Sequence, residues 1–393
     1  MKKVSIIIPT RNRAHLLKYA LRSAIQQSYQ NIEIVVCDNY STDNTIEVVE
    51  SFNSQNIIYV RTNNALSMPD NWEFALHKAS GEYITYLTDD SYLLPNCISK
   101  TIEELSRFNI KVVVWKHCAY FYPNWLEPAR RNILYIPKTT FKSYLLNSKT
   151  ILQKLYNIDE SVSTIIPKSL NSLCHWSIIE KVISIQNRFF LSSCPDYTSA
   201  ASVLLNTKEY ALIDNPLYID GVTSSSIGAV TSFNLGKSTK DFIKEFKQNQ
   251  NEIVFLGIPT SITAIAKSLE NVKKFYLDSC PEINKKAVLC ATVDRLIKLE
   301  ANKAKTQNYW QILKKYIALQ PTEVKRTLKK QKIISKLKWM IIKKIRHFSL
   351  LENLERLRNV KILRGDKHGF NNIEECAKII FPILKAKNNI WRN

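Results

Sequence analysis

The chain has 393 residues, 45% of them apolar, enough for one large α/β domain and a second region of about 100–150 residues. Its eight cysteines include no C-x-x-C pair and no zinc-type Cys/His spacing, and its seven glycines form neither G-x-G-x-x-G nor a P-loop, which argues against a zinc module, a dinucleotide dehydrogenase and a P-loop NTPase. The net charge of +22 is uneven: residues 301–393 hold 23 Lys and Arg against six Asp and Glu, so +17 of it lies in the last quarter. No run of about 18 apolar residues occurs, and Pro9 and Arg11 cut short the apolar start, so neither a transmembrane helix nor a signal peptide is expected.

Residues 4–10 read as a buried strand, and 14–27 as a helix with Leu16, Leu17, Ala20, Leu21, Ala24 and Ile25 on one face. Residues 32–39 form a second strand ending on Asp38-Asn39. A helix over 45–52, a strand over 57–61 and a helix over 72–79 capped by Asp70 follow. Strand–helix alternation predicts right-handed crossovers and a mostly parallel sheet flanked by helices. Further on, 112–115 and 119–122 read as two strands, 123–160 as irregular and 174–182 as a helix, and 192–197 leads into another helix that runs through 205. Residues 210–214 and 216–220 read as a hairpin, followed by a small-residue loop over 221–228 of the kind that closes over ligands. After about residue 237 the pattern is helical.

The most informative stretch is 81–90, a strand of β-formers that ends in Asp89-Asp90. Adjacent carboxylates repel and are costly to desolvate, so the pair is either a solvated turn or a place where a cation or a hydrogen-bonding ligand receives the charge. Ligands of open α/β sheets bind at the carboxyl ends of the strands, and Pro9-Thr10, Asp38-Asn39 and Asp89-Asp90 all fall on that edge. That company favours a site.

The ordered set of segments resembles the family 2 glycosyltransferases. Val4-Ser5-Ile6-Ile7-Ile8-Pro9-Thr10-Arg11-Asn12-Arg13 is similar to that family's opening strand and nucleotide loop, and Val36-Cys37-Asp38-Asn39-Tyr40-Ser41-Thr42-Asp43-Asn44-Thr45 to its V-D-D-x-S-T-D-x-T segment. Ala79-Ser80-Gly81-Glu82-Tyr83-Ile84 is similar to A-x-G-E-Y-I, and Thr88-Asp89-Asp90 stands at the D-x-D metal motif. The likeness covers residues 1–115, thins over 170–230 and ends there. It implies a GT-A fold, Rossmann-like, over 1–236, with a nucleotide-sugar half at 1–115 and an acceptor half at 116–236. Residues 237–393 are then a helical, basic C-terminal region. Two departures stand out: Thr88 replaces the first Asp of D-x-D, and Asn39 replaces the Asp that bonds the base, which leaves uracil, thymine and guanine all open.

The implied activity is transfer of a sugar from a nucleoside diphosphate sugar to a hydroxyl, metal-dependent, with inversion, in polysaccharide or glycolipid synthesis. Asp90 is the expected ligand of Mn²⁺ or Mg²⁺, and Asp89 is expected on the ribose side or sharing the metal through water. Pro9, Thr10, Asp38 and Asn39 are expected to line the nucleoside pocket, with Arg11 or Arg13 reaching the diphosphate. The resemblance makes Asp196, at Cys194-Pro195-Asp196-Tyr197, the expected catalytic base, against the plainer reading of a helix N-cap. His175 and Trp176 would add to an acceptor wall or belong to an ordinary helix face. The rival functions are a nucleotidyltransferase, which would show a Gly-rich basic loop near the N-terminus that is lacking here, and a non-catalytic sugar-nucleotide-binding protein.

Residues 328–348 carry Ile334, Leu337, Ile341, Ile345 and Phe348 at helical spacing, with Lys329, Lys332, Lys336, Lys343 and Arg346 on another side. This pattern fits a helix lying on an anionic membrane surface beside a lipid-linked saccharide acceptor, or a helix packed on the domain with a solvated cationic face. No nucleic-acid-binding module is recognisable, so nucleic acid is not an expected partner. The expected location is cytoplasmic, peripheral on the inner membrane face.

Overall fold

The computed structural model describes residues 1–226, 228, 254–346 and 360–385. The N-terminal elements are β1 (Val4–Thr10), α1 (Ala14–Ile25), β2 (Ile32–Asp38), α2 (Thr45–Glu50), β3 (Ile57–Arg61), α3 (Met68–Leu76) and β4 (Tyr83–Tyr86). There follow β5 (Tyr92–Leu93), α4 (Cys97–Phe108), β6 (Val112–Phe121), β7 (Ile133–Pro137), β8 (Ser143–Asn147), α5 (Ser148–Tyr156), β9 (Ser172–His175), α6 (Trp176–Gln186), α7 (Pro195–Asn206) and β10 (Glu209–Val222). The C-terminal region contributes α8 (Ser261–Tyr276), α9 (Lys285–Ala301), α10 (Gln307–Ala318), α11 (Thr322–Arg346), β11 (Val360–Arg364) and α12 (Ile373–Lys385).

One sheet runs β11-β7-β6-β9-β4-β1-β2-β3, with β10 on β6 and carrying β5 and β8. The four strands β3-β2-β1-β4 are parallel, as the alternation of strand and helix requires. Beyond β4 the sheet turns antiparallel through β9, and β10 again runs parallel to β6. The parallel strands β1, β2 and β4 are buried on both faces, and β3 is the half-exposed edge. Ile7 and Val35 enter one apolar layer with Trp72 and Tyr86, while Ile6, Ile8, Ile34 and Val36 enter the other with Leu17 and Leu21. Each of these fully buried aliphatic side chains contributes about 1.5–3 kcal/mol. Mixed α/β architecture, a parallel strand block and a helical C-terminal region all match the expected fold class.

Several local expectations are corrected. Residues 112–121 form a single strand rather than two. The supposedly irregular 123–160 contains β7, β8 and α5, whose short apolar pieces find partners only across the sheet. The expected hairpin at 210–220 is one strand, β10, whose register on β6 shifts on either side of Pro216. Pro216 has no N–H to give to a ladder, so the chain bulges there and continues instead of reversing. Helix α3 begins after Ser67, with Asp70 inside its first turn, accepting from Ser67 Oγ and pairing with Arg188. The C-terminal region is not helical throughout: β11 pairs antiparallel with β7, and Phe370 together with Ile373, Cys376 and Ile380 of α12 packs beside Tyr120 and Leu134.

Glu33 ties β1 and β2 to the turn before β4. Its carboxylate, on a residue 5% exposed, accepts from Ser5 Oγ at 2.5 Å, Ser80 Oγ at 2.6 Å and Lys3 Nζ at 2.6 Å. Burial pushes this carboxyl up, but Lys3 and the two serines outweigh it and hold it at about 2. A depressed carboxylate stabilises the fold fully above its unfolded value near 4.5 and loses that contribution as pH falls toward 2. Glu33→Gln is therefore expected to lower stability at pH 7 by about 1.5–3 kcal/mol. The gap to the parent should close across that acid window in denaturation curves.

Candidate active site

Register brings the expected residues to one edge. Thr10 lies opposite Asp38 on β2, and Ile7 opposite Tyr86 on β4. The ladder continues from Leu87 N to Ile7 O at 2.8 Å, so Asp89 arrives beside Thr10, whose hydroxyl donates to Asp89 Oδ2 at 2.8 Å. Asp89 and Asp90 are 3% and 5% exposed, which removes the reading of a solvated turn.

Their counter-charge is Arg13, at the start of α1. Arg13 Nη1 donates to Asp89 Oδ1 at 2.6 Å and Nη2 to Asp90 Oδ2 at 2.9 Å. The same Nη2 reaches Thr223 Oγ1 at 2.9 Å and Ser225 Oγ at 3.1 Å, and Ser226 Oγ donates to Asp90 Oδ2 at 2.8 Å. The small-residue loop is thus drawn onto the acidic pair; Ile227 lies outside the described residues. Burial works against the guanidinium's charge, but Asp89 and Asp90 outweigh it and keep Arg13 protonated. Burial pushes Asp89 up to about 6, with Arg13 pulling down and the Asp90 charge pushing up. Arg13 Nε is buried without a hydrogen-bond partner among the described residues.

The backbone of Asp90 is held from two sides. Tyr122 OH donates to its carbonyl at 3.1 Å, and Gly221 at the end of β10 passes so close that a Cβ there would lie 1.7 Å from the same oxygen. Thr88, the residue that departs from D-x-D, shares a hydrogen bond of 2.7 Å between its hydroxyl and that of Ser91 and so shapes the turn.

A cleft of about 780 Å³ opens beside the pair, within the usual size of a ligand site. Arg13, Asp90, Lys168, Asp196, Asp220 and Arg295 all line it. Asp196 sits in the first turn of α7, where Cys194 is the cap residue and Pro195 opens the helix. Its carboxylate pairs with Lys168 Nζ at 3.7 Å, and that ammonium lies 4.2 Å from the centre of the Tyr197 ring. Burial would lower Lys168, but Tyr197 and Asp196 outweigh it and raise it. Asp220 faces the same space; burial, then the charge of Asp90, pushes it up to about 6, against Tyr218 and Lys168. Lys168, Asp220 and Arg295 were not singled out from sequence. Asp220 carried a signal, as an acid at the end of a strand before the small-residue loop, whereas Lys168 and Arg295 reach the cleft only through tertiary packing.

The remaining expected residues divide. Pro9 is buried in β1 and Arg11 opens the turn after it, and neither lines the cleft. Asp38 is 0% exposed and holds the strand edge: it accepts from Ser41 N at 2.8 Å and Tyr59 OH at 2.7 Å, with Arg61 at 3.6 Å. Both ends of the Asn39 amide bond Leu66, Nδ2 to its carbonyl at 2.9 Å and Oδ1 from its N–H at 2.8 Å, so this side chain fixes the loop after β3. His175 and Trp176 do not line the cleft. His175 caps α6 through Ser177 N at 3.0 Å, and Trp176 packs on the apolar core.

The Asp89-Asp90 pair suits a small hard cation, since its two buried carboxylates already hold a guanidinium between them as stand-in charge. Among the described residues no group of three His, Cys, Asp or Glu side chains forms a complete metal cage. A divalent ion at Asp90 would draw its remaining ligands from phosphate and water.

Sheet topology and the acidic edge place the chain among open α/β proteins that receive a ligand at the carboxyl ends of parallel strands. Residues 5–166 match the family described as glycosyl transferase family 2. It is 36% identical over 107 residues, 26% of this chain and 35% of the relative, to the GalNAc(5)-diNAcBac-PP-undecaprenol beta-1,3-glucosyltransferase of Campylobacter jejuni. It is 35% identical over 102 residues, 26% of this chain and 41% of the relative, to the UDP-Glc:alpha-D-GlcNAc-diphosphoundecaprenol beta-1,3-glucosyltransferase WfaP of Escherichia coli. The chain thus spans well under half the length of these relatives. Among solved structures, residues 1–349 of S. aureus TarS with UDP-GlcNAc share the fold at 18% identity and a TM-score of 0.52, over 85% of this chain and 89% of that one.

Proposed function

We propose that this protein transfers a hexosyl group from a nucleoside diphosphate sugar to a hydroxyl of a lipid-linked saccharide, with inversion, in polysaccharide or glycolipid synthesis. The observation that carries the reading is the cleft lined by both Asp196 and Asp90, the latter held with Asp89 by the Arg13 guanidinium. A uridine nucleotide is the donor to try first, because the Escherichia coli relative is named for UDP-Glc. The lipid-linked acceptor follows the undecaprenol-linked substrates in both relatives' names, and such an acceptor would be met at the inner face of a membrane.

The residues divide the work by charge. Arg13, with an Nε that lacks an acceptor, offers a donor to a phosphate oxygen. A divalent ion, Mn²⁺ or Mg²⁺, held at Asp90 would neutralise charge on the leaving diphosphate. Asp89 with Thr10 borders the ribose, and Asp38 and Asn39 keep the nucleoside side of the edge in shape. Asp196 accepts the acceptor hydroxyl proton as that oxygen bonds the anomeric carbon, while the carbon–oxygen bond to the diphosphate breaks and its electron pair leaves with the nucleotide. Lys168, 3.7 Å away, holds the Asp196 carboxylate in position.

A thermal-shift panel of UDP, dTDP and GDP sugars with and without Mn²⁺, followed by a donor-hydrolysis assay, tests the reading. One donor is expected to raise the melting temperature through linkage and to be turned over. A panel in which no donor shifts the transition, with or without metal, would sink it.

A further inference from the structure

Helix α11 is built the opposite way round from an ordinary packed amphipathic helix. Leu328 and Ser335 are 3% and 0% exposed, and Trp339 joins Leu328 in the apolar cluster around Val293 and Leu296 of α9. Trp339 Nε1 donates to Asp294 at 3.3 Å, and Lys338 Nζ pairs with the same carboxylate at 3.2 Å. At about 100° per residue, Leu328, Ser335 and Trp339 fall within ~40° of one another. The remaining apolar residues lie on the far side. Ile333, Ile334, Leu337, Met340 and Ile341 cover an arc of ~120° centred opposite the packed edge. They are 56%, 58%, 51%, 50% and 52% exposed. Five large apolar side chains on one outward face of a single helix are not the scattered exposure normal for a soluble surface.

The charge on this helix states what kind of surface covers the stripe. Residues 322–346 hold ten Lys and Arg against one acid, Glu323. Lys325, Arg326, Lys329, Lys330 and Lys336 are all exposed, along the stripe or at its margins. A second copy of this helix would bring like charges together, and an ordinary protein groove would leave the lysines without counter-ions. An anionic lipid surface takes both features at once: the acyl boundary receives the isoleucines and the headgroups receive the lysines. Among the described residues no helix is long and apolar enough to cross a membrane, so contact of this kind would be made from one side.

We propose that α11 is a membrane-docking helix that seats the stripe from Ile333 to Ile341 in the headgroup region of an anionic bilayer. The attachment is coupled to the cleft, because Asp294, which anchors α11, is followed on α9 by Arg295, which lines the cleft. Docking on lipid would therefore hold the cleft in fixed relation to a lipid-borne substrate. The surface needs no donor or acceptor to bind, so it stands apart from the reading of the site.

Co-sedimentation of the full chain with vesicles tests the proposal. Vesicles of phosphatidylcholine with about a third phosphatidylglycerol are expected to retain the protein at low salt. Vesicles of phosphatidylcholine alone are expected to hold it about tenfold or more less well, since each lysine near an anionic surface is worth about 1 kcal/mol. The variant I333S/L337S/I341S and the variant K329E/K330E/K336E should each lose at least about tenfold in vesicle affinity. Both alter exposed side chains, so melting temperature and donor hydrolysis in solution should be unchanged. Equal binding by parent and both variants overturns the proposal, as does failure of the parent to bind anionic vesicles. A parent dimer in solution that the serine variant dissolves would assign the stripe to self-association instead. Loss of donor turnover with vesicle binding intact would count against the reading of the site and leave this one standing.

Discussion

Replacing Asp196 with Asn is expected to lower kcat by about 10²–10⁴-fold while leaving donor affinity within about twofold, the pattern of a lost general base. The amide keeps the size and the place of the side chain in the first turn of α7 but cannot take a proton. Because Asp196 makes no contact with Arg13, Asp89 or Asp90 among the described residues, its loss is expected to leave the binding of the nucleoside diphosphate unchanged. Lys168→Met is the informative companion: it leaves the Asp196 carboxylate without the ammonium 3.7 Å away that holds it in place, so kcat should fall while donor affinity stays within about twofold. Steady-state turnover and calorimetric donor binding, measured on the same preparations, separate the outcomes. Normal turnover in the Asn variant would remove Asp196 from the mechanism.

Replacing Arg13 with Met should cost about 3–5 kcal/mol of stability, because it strands two buried carboxylates that repel each other. Arg13 is held by both acids and by the hydroxyls of Thr223 and Ser225, so the same change also frees the loop from the acidic edge. The variant should recover part of the loss when Mn²⁺ is added, about 2.7 kcal/mol at a hundredfold excess over the dissociation constant. The parent should gain much less from metal alone, because its guanidinium already neutralises the pair. Urea denaturation with and without Mn²⁺ reads both effects. An unaltered midpoint in the variant, or equal metal stabilisation in both proteins, would show that Arg13 is not the counter-charge of this site.

Much of the donor edge was legible in the sequence because parallel strands impose a simple rule. Each buried strand ends on the same side, so Thr10, Asp38 and Asp89 had to become neighbours once β1, β2 and β4 were recognised. The acceptor side followed no such rule. Antiparallel strands joined by long connections leave several pairings open, and the hidden strands β7 and β8 and the bulged β10 show how turn residues mislead when a ladder partner stabilises an extended chain. The same limit hid Lys168, which approaches Asp196 from a loop 28 positions earlier in the sequence.

Asp89-Asp90 at a strand end, the absence of glycine-rich phosphate loops and the excess of lysine near the C-terminus were determined by the sequence alone, because they depend on residue type and short spacing. Tertiary structure decided how those features are used. It put Arg13 between the two carboxylates, turned both ends of the Asn39 amide toward Leu66, and moved His175 from the cleft to a helix cap. It also decided which side of α11 is packed. Periodicity shows that a helix has an apolar stripe, but only the neighbouring helix shows whether the stripe faces inward, and here α9 takes the edge of Leu328, Ser335 and Trp339 and leaves the isoleucines outside.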